Sequence, residues 1–440
     1  MEEIKKAVDP LDIYSAALEL TMPDLMVEAA LQIKDNNLVV ANDSFPIKGK
    51  INVLAFGKAS ILMYHAAKTI CKAANAFGAG LLITHQNEVN LKPGSSVEEV
   101  IFSTHPLISE ASVNAGVKAK EFVEAHDGDD ILLCLVSGGG SAMVALPVED
   151  LDLKEKIEFI SEVMHMGVPE REVNELKKAL SDVKGGKLAQ ASRDGRLINL
   201  ILSDERNHQF AAISSGMTVC NELIDPVRVM DKYQLWQVPS VQVKKKLVDF
   251  GKKRNVARSK DINNFLIGSR DDLISSIKNI ARASKFESVT VLENLHSCSP
   301  ESAVDFLVEN YLKIFSKESS GHHLVVSTGE VQVKVDKNNP GKGGRNQHLA
   351  ALMLLKSQFR FPFSFIAVAT DGMDYIDGVH GARIDNTTSE KISSCRDFLV
   401  ECLEKNQSFE IHKKMGSLIE GSKTGTNLSD FFLFSFFKEA

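Results

Sequence analysis

The chain has 440 residues, 44% hydrophobic and 25% charged, with a formal net charge of −7 and a pI near 6.0. That length exceeds one ordinary core and that composition excludes a disordered chain, so two globular domains are expected. The acidic balance excludes a general nucleic-acid binder but allows a small anionic substrate held by local basic side chains.

In chain order, residues 11–33 have helical spacing. Short apolar runs at 51–56, 80–84, 131–136 and 196–202 end at Gly, Ser or Asp and lead into helical patterns, as strands of a parallel α/β sheet do. Residues 169–180 form a helix opened by Pro169, with Val173, Leu176 and Leu180 on one face and Lys177 and Lys178 away from it. The Lys- and Val-rich stretch 227–261, with Pro239, reads as a connection and sets the expected division, 1–245 and 260–440. A second set of strands follows at 264–267, 288–293, 323–327 and 365–369, with a helix at 348–356. Cys71, Cys134, Cys220, Cys298, Cys395 and Cys402 lack zinc or disulfide spacing and read as reduced intracellular thiols. MEEIKKAVDP has neither signal nor transit character, and no apolar run reaches the ~18 residues of a membrane span. A cytoplasmic protein without a membrane partner is expected.

Chemistry concentrates at a few turns. Lys58, in Gly57-Lys58-Ala59-Ser60, emerges at the carboxyl end of a strand, the edge where open parallel sheets bind ligands; an exposed lysine is the commoner fate. Ser137-Gly138-Gly139-Gly140-Ser141 follows the apolar run ILLCLV and precedes a helical stretch, so backbone N–H groups and a helix end are expected to face an anion. A ligand-free tight turn has the same signature. There is no GxxxxGK[ST] loop and no GxGxxG fingerprint. Gly343-Gly344-Arg345-Asn346 pairs a flexible turn with a guanidinium fork suited to phosphate. Asp371, in Thr370-Asp371-Gly372-Met373-Asp374, ends a strand and reads as a group that orients or deprotonates a hydroxyl or holds Mg²⁺, or simply caps a turn. Weaker pointers are His105, Ser203-Asp204, Ser214-Ser215-Gly216, Gly329-Glu330 and Thr424-Gly425-Thr426-Asn427.

In this order, AFGKAS (55–60), THP (104–106), LVSGGGSA (135–142), SDVKGGKLA (181–189), ISSG (213–216), GKGGRNQ (341–347), ATDGMD (369–374) and TGTN (424–427) resemble the glycerate kinase family with a C-terminal MOFRL domain. The resemblance spans nearly the whole chain. It implies a larger Rossmann-like parallel-sheet domain, a smaller α/β domain with a MOFRL region near 320–435, and an active site in the cleft between them. It further implies ATP- and Mg²⁺-dependent phosphorylation of D-glycerate at the 2-hydroxyl. Lys58 and Arg345 match the family's catalytic lysine and arginine, and Asp371 its TDG aspartate. Ser137, Gly138, Gly139, Gly140, Ser141, Asp204, Glu330, Gly344, Asn346, Thr426 and Asn427 fall in the segments implied to bind substrate or nucleotide; the resemblance leaves the metal ligands unassigned.

The chain departs from the family pattern at Glu205, Asn207 and His208 after Asp204, at Lys177 in place of an arginine, and at Met217 and Asn221 after ISSG. It departs also at Thr328 before Gly329, at Tyr375 and Asp377 after TDG, and in HPLISE. These changes are expected at ligand edges rather than in the core. Two other readings compete with an active kinase. One is a diverged, non-catalytic protein binding nucleotide or a small hydroxy acid; the other is a phosphosugar-binding or isomerising protein.

Overall fold

A computed structural model describes residues 8–85, 99–126, 128–192, 195–204, 209–219, 224–252, 261–292, 295, 298–336, 339–357 and 359–440. Two compact units emerge, one of Pro23–Ser269 and one joining the chain up to Met22 with Arg270–Ala440. Both units are α/β, as expected.

The helix expected over 11–33 is two helices, Pro10–Glu19 and Pro23–Ala30, followed by a strand. Pro23 has no N–H with which to continue the first ladder. Asp9 caps the first helix by accepting from Leu11 N at 3.0 Å. That helix belongs to the second unit, where Tyr14 is buried with its ring 6.2 Å from that of Phe431.

The strands of the first unit are β1 (Leu31–Lys34), β2 (Asn37–Val40), β3 (Asp43–Pro46), β4 (Ile51–Phe56), β5 (Phe77–His85), β6 (Glu99–Ser103), β7 (Ile131–Val136), β8 (Arg196–Ser203) and β9 (Ile262–Ser269). β1 to β3 form a small antiparallel sheet. The other six are parallel, in the order β6-β5-β4-β7-β8-β9. Every residue of β7 is buried, which a parallel sheet covered on both faces requires. β9, expected to open the second half, is the edge strand of this sheet, so the division falls at 269/270 rather than within 245–260. Residues 227–261 are also more regular than expected, carrying helices Pro226–Lys232 and Val241–Lys252; 253–260 lie outside the described residues.

The second unit contains β10 (Ser288–Val291), β11 (Gly321–Thr328), β12 (Phe363–Ala369), β13 (Val379–Asp385), β14 (Leu418–Glu420) and β15 (Asp430–Lys438), in the order β10-β11-β15-β12-β13-β14. Only β10 and β11 pair in parallel, so this sheet is mixed rather than the parallel set read from the sequence. β15, the run DFFLFSFFK, lies between β11 and β12 and is buried through Phe437. Its Phe434 stacks on Tyr311 at 4.0 Å.

The helix Arg345–Lys356 is buried from Asn346 to Leu354. His412 fixes its first turn: Nε2 donates to the Gln347 carbonyl at 2.8 Å, which leaves Nδ1 to accept from the Ser417 hydroxyl at 2.8 Å. Burial pushes His412 down from 6.5 to about 4. The unfolded ring therefore takes up a proton that the folded ring refuses, and stability falls as pH drops from about 7 toward 4. We expect His412 to account for about 2 kcal/mol of the loss between pH 7 and pH 5. His412→Gln should lack that component; identical changes in urea midpoint for both proteins would show that the ring does not carry it.

Candidate active site

In the first unit the strand order reverses between β4 and β7, the position at which doubly wound sheets open a crevice outside their carboxyl ends. Gly57-Lys58 leaves β4 and Ser137–Ser141 leaves β7 at this point, so two separately expected segments become neighbours. The backbone N–H of Lys58 donates to the Gly138 carbonyl at 2.9 Å, and that of Ala59 to Ser137 Oγ at 3.0 Å. Gly57 has φ +112°, and a Cβ there would lie 2.4 Å from Ser137 Oγ. A Cβ on Gly139, φ +84°, would lie 3.0 Å from Lys58 Cγ and 3.2 Å from His105 Cδ2. Lys58 and His105 thus flank the glycine turn, and the His105 ring is 6.4 Å from that of His85 at the end of β5.

The turn is braced from below. Ser214 Oγ donates to the Ser137 carbonyl at 2.6 Å, and Ser215 Oγ meets Ser141 Oγ at 2.7 Å. Both serines hold left-handed φ, 48° and 57°, an unfavourable conformation that the ISSG segment maintains while supporting the turn. Lys184 donates to the Ser141 carbonyl and hydroxyl, each at 2.8 Å. One expectation fails here. The helix after the turn is only Gly140–Met143, too short to offer an anion the field of a helix end. Asp204 follows β8, next to β7 in the sheet; Glu205, Asn207, His208 and Asn221 lie outside the described residues.

In the second unit a different set converges. Arg345 opens its helix and spans two carboxylates, donating from Nε to Asp430 Oδ2 at 2.5 Å, from Nη2 to Asp430 Oδ1 at 3.1 Å and from Nη1 to Glu330 Oε2 at 2.9 Å. Asp430, only 2% exposed, starts β15 beside Gly329, whose N–H donates to its carbonyl. Burial pushes the Asp430 carboxyl up against the pull of Arg345, whose guanidinium the two carboxylates hold firmly charged. Asp374 lies under the helix start and accepts from the backbone N–H groups of Asn346 (3.0 Å) and Gln347 (2.8 Å) and from both side-chain amides. A Cβ on Gly344 would come within 2.1 Å of Asp374, so a glycine is needed there for space. Asp371 accepts from Met373 N and its carbonyl from Thr424 N, while Thr424 Oγ1 donates to the Thr370 carbonyl, tying the TGTN loop to the TDG turn.

Buried Asn346 Oδ1, Thr426 Oγ1 and Ser429 Oγ have no hydrogen-bond partner. Buried polar groups are ordinarily satisfied, so these are the atoms a bound polar ligand would engage. Asn427 is buried in the same loop. Among the described residues no three His, Cys, Asp or Glu side chains converge as metal ligands. Glu330 and Asp430 are turned to Arg345, and Asp374 to the helix amides.

Sequence reasoning missed Asp430, which is 85 residues from Arg345, and missed Lys184 as the brace of the glycine turn; a carboxylate at the polar mouth of a Phe-rich run was the available signal. Two departures from the family pattern are interior rather than at ligand edges. Met217 is packed in the core with Leu54 and Phe56, and Thr328 is 4% exposed at the end of β11.

A lysine packed on a glycine turn at a strand-order reversal, with an arginine and carboxylate cluster in a second mixed-sheet unit, defines a two-unit α/β protein of the DUF4147 and MOFRL type. The profile described as "Domain of unknown function (DUF4147)" matches residues 9–248, and that of the MOFRL family matches 323–430. The chain belongs to the glycerate kinase family with a C-terminal MOFRL domain. It is 28% identical to the glycerate 2-kinase of Pyrococcus horikoshii, covering 95% of this chain and 94% of that one. It is 30% identical to an uncharacterized protein of Caenorhabditis elegans, covering 88% and 86%. In fold it matches the crystal structure of a glycerate kinase from Thermotoga maritima with a TM-score of 0.78 at 23% identity, covering 97% and 98% of the two chains.

Two substitutions probe these arrangements. Gly57→Ala should cost about 2–4 kcal/mol, because φ +112° and the Ser137 contact both oppose a methyl group. Asp430→Ala should cost less, about 1–2 kcal/mol, by removing two of the hydrogen bonds of the half-buried Arg345 guanidinium, and Asp430→Asn less again. Urea unfolding measures both, and unchanged midpoints would mean that neither contact bears on stability.

Proposed function

We propose that this protein is a kinase that transfers a phosphoryl group from ATP to D-glycerate, giving 2-phosphoglycerate. The observation that supports this most directly is Lys58 seated on the Gly139 turn at the strand-order reversal of a parallel sheet. Kinship to proteins named glycerate 2-kinase and glycerate kinase supports the choice of acceptor.

In this reading Lys58 supplies positive charge to the transferring phosphoryl, and the Ser137–Ser141 backbone shapes the pocket for an anion. Arg345, held in a fixed orientation by Asp430 and Glu330, offers its remaining donor face to oxygens of the acceptor or the phosphoryl. Asp371, at the carboxyl end of β12, orients the acceptor hydroxyl and takes its proton as the new O–P bond forms. Asn346, Thr426 and Asn427 bind the acceptor's polar groups, and Asp204 and Glu330 set the local charge. Mg²⁺ in this reading travels on the nucleotide phosphates, which is how that ion is commonly held.

Coupled ADP release with Mg-ATP, comparing D-glycerate, L-glycerate, related hydroxy acids and a blank without acceptor, tests the proposal. D-glycerate-dependent release is expected, and Lys58→Ala and Arg345→Ala should each lower kcat/KM by about 10²-fold or more, the second also losing stability because it leaves the buried Asp430 carboxylate unpaired. Wild-type turnover in either variant removes that residue from the mechanism. Folded protein without acceptor-dependent release across the panel sinks the kinase assignment.

A further inference from the structure

The carboxyl edge of the parallel sheet holds a histidine that the kinase mechanism leaves without a role. β6 is the edge strand, separated from β7 by β5 and β4, about 14 Å at the usual strand spacing. The loop after β6 nevertheless brings His105 onto the glycine turn that follows β7. A Cβ on Gly139 would lie 3.2 Å from His105 Cδ2 and 3.3 Å from His105 Nε2. Ser103, the last residue of β6, donates from Oγ to the Met143 carbonyl at 2.6 Å, so the two segments reach toward each other over the ends of the strands between them.

The loop holds this position through its own side chains. Thr104 Oγ1 donates to the Leu107 carbonyl at 2.8 Å, closing the backbone around His105 and Pro106, and meets the hydroxyls of Ser109 at 2.7 Å and Ser112 at 3.1 Å. Lys58 stands on the same glycine, with its Cγ 3.0 Å from the same Cβ position, and the His85 ring lies 6.4 Å from that of His105. Gly138 and Gly140 are buried, whereas Gly139, Lys58, His85 and His105 are each partly exposed. Lys58 and His105 therefore frame a patch of bare backbone that is open to solvent.

We propose that His105 is a phosphate-binding residue of this site, its ring nitrogen and the Lys58 ammonium both reaching one phosphate group held over Gly139, an inference that rests on the kinase reading above. The shape of the donor set selects the ligand. A phosphate directs its oxygens tetrahedrally and meets donors arriving from separate side chains, whereas a carboxylate keeps both oxygens in one plane and suits the planar fork of an arginine. Nε2 is on the ring edge turned to Gly139, so His105 donates there whenever that nitrogen carries a proton, in the neutral Nε2–H tautomer as in imidazolium. The two donors also differ in kind. The ammonium is a point charge on a flexible stem, and the imidazole is a short, rigid group whose donor has one direction. Lys58 thus supplies charge while His105 fixes where the phosphate sits.

Isothermal titration of the full chain with inorganic pyrophosphate and with ATP, in wild type, His105→Phe and His105→Gln, tests the assignment. Phenylalanine keeps a flat ring against the glycine and removes both nitrogens, while glutamine keeps an N–H donor near the place of Nε2. His105→Phe should bind both ligands about tenfold more weakly or worse, and His105→Gln should recover most of that loss. A ring that only packs the loop gives the reverse order, since phenylalanine is then the better replacement. Pyrophosphate binding that is absent from the wild type, unchanged in His105→Phe or lost equally in both variants overturns the inference, whatever the turnover with glycerate. Pyrophosphate binding that depends on the His105 donor, in a protein without glycerate-dependent ADP release, keeps the phosphate site and removes the kinase reading.

Discussion

The reversal of strand order between β4 and β7 is the constraint on which the first unit's chemistry depends. In doubly wound sheets the connections leaving two such strands depart to opposite faces, which opens a crevice outside their carboxyl ends. The two exits then meet backbone to backbone, as the Lys58 to Gly138 and Ala59 to Ser137 hydrogen bonds show. Approach that close demands glycine, and the positive φ angles of Gly57 and Gly139 follow from it. Lys58 is held at the opening as a consequence of the same geometry. The left-handed serines of ISSG and the buried Lys184 then support the turn from outside the sheet.

The second unit solves a different problem, which is to hold one arginine in one orientation. A buried ion pair seldom adds stability over a well-packed apolar pair of similar volume, so its persistence calls for another reason. Asp430 and Glu330 fix the guanidinium plane, and Asp374 fixes the start of the helix from which Arg345 projects. Around them Asn346, Thr426 and Ser429 retain buried polar atoms without partners. Fixed charge beside unsatisfied polar groups is the arrangement expected of a site organised for a ligand before the ligand arrives.

Much of this architecture was legible in the sequence because parallel strands buried on both faces read as unbroken apolar runs; 51–56 and 131–136 are β4 and β7 to the residue. What escaped was nonlocal or ambiguous. The Phe-rich run 430–438 has no alternation, since its sheet is covered on both faces, and nothing local indicates that it lies between β11 and β12. Asp430 was missed for the same reason, because its partner's distance in sequence hides a contact of 2.5 Å. Lys178 lies away from the apolar face of its helix by periodicity, yet it is buried, since helical period reports one packed face and cannot report a second element lying on the other.

The departures from the family pattern can now be sorted by where they fall. Met217 fills the core and Thr328 sits within the sheet, so both change packing next to the site without removing a charge from it. Tyr375 is 73% exposed at φ +64°, a conformation that favours glycine, and its ring therefore alters the rim of the TDG turn and not its floor. Lys177 stands where the family pattern has a planar fork, which keeps the sign of the charge while relaxing its geometry. Phosphoryl transfer relies on positioned positive charge more than on any covalent participant, so changes of rim and packing bear first on which acceptor fits. Among the described residues the departures thus fall in rim, packing and charge geometry, while Lys58 follows β4, Arg345 opens its helix and Asp371 follows β12.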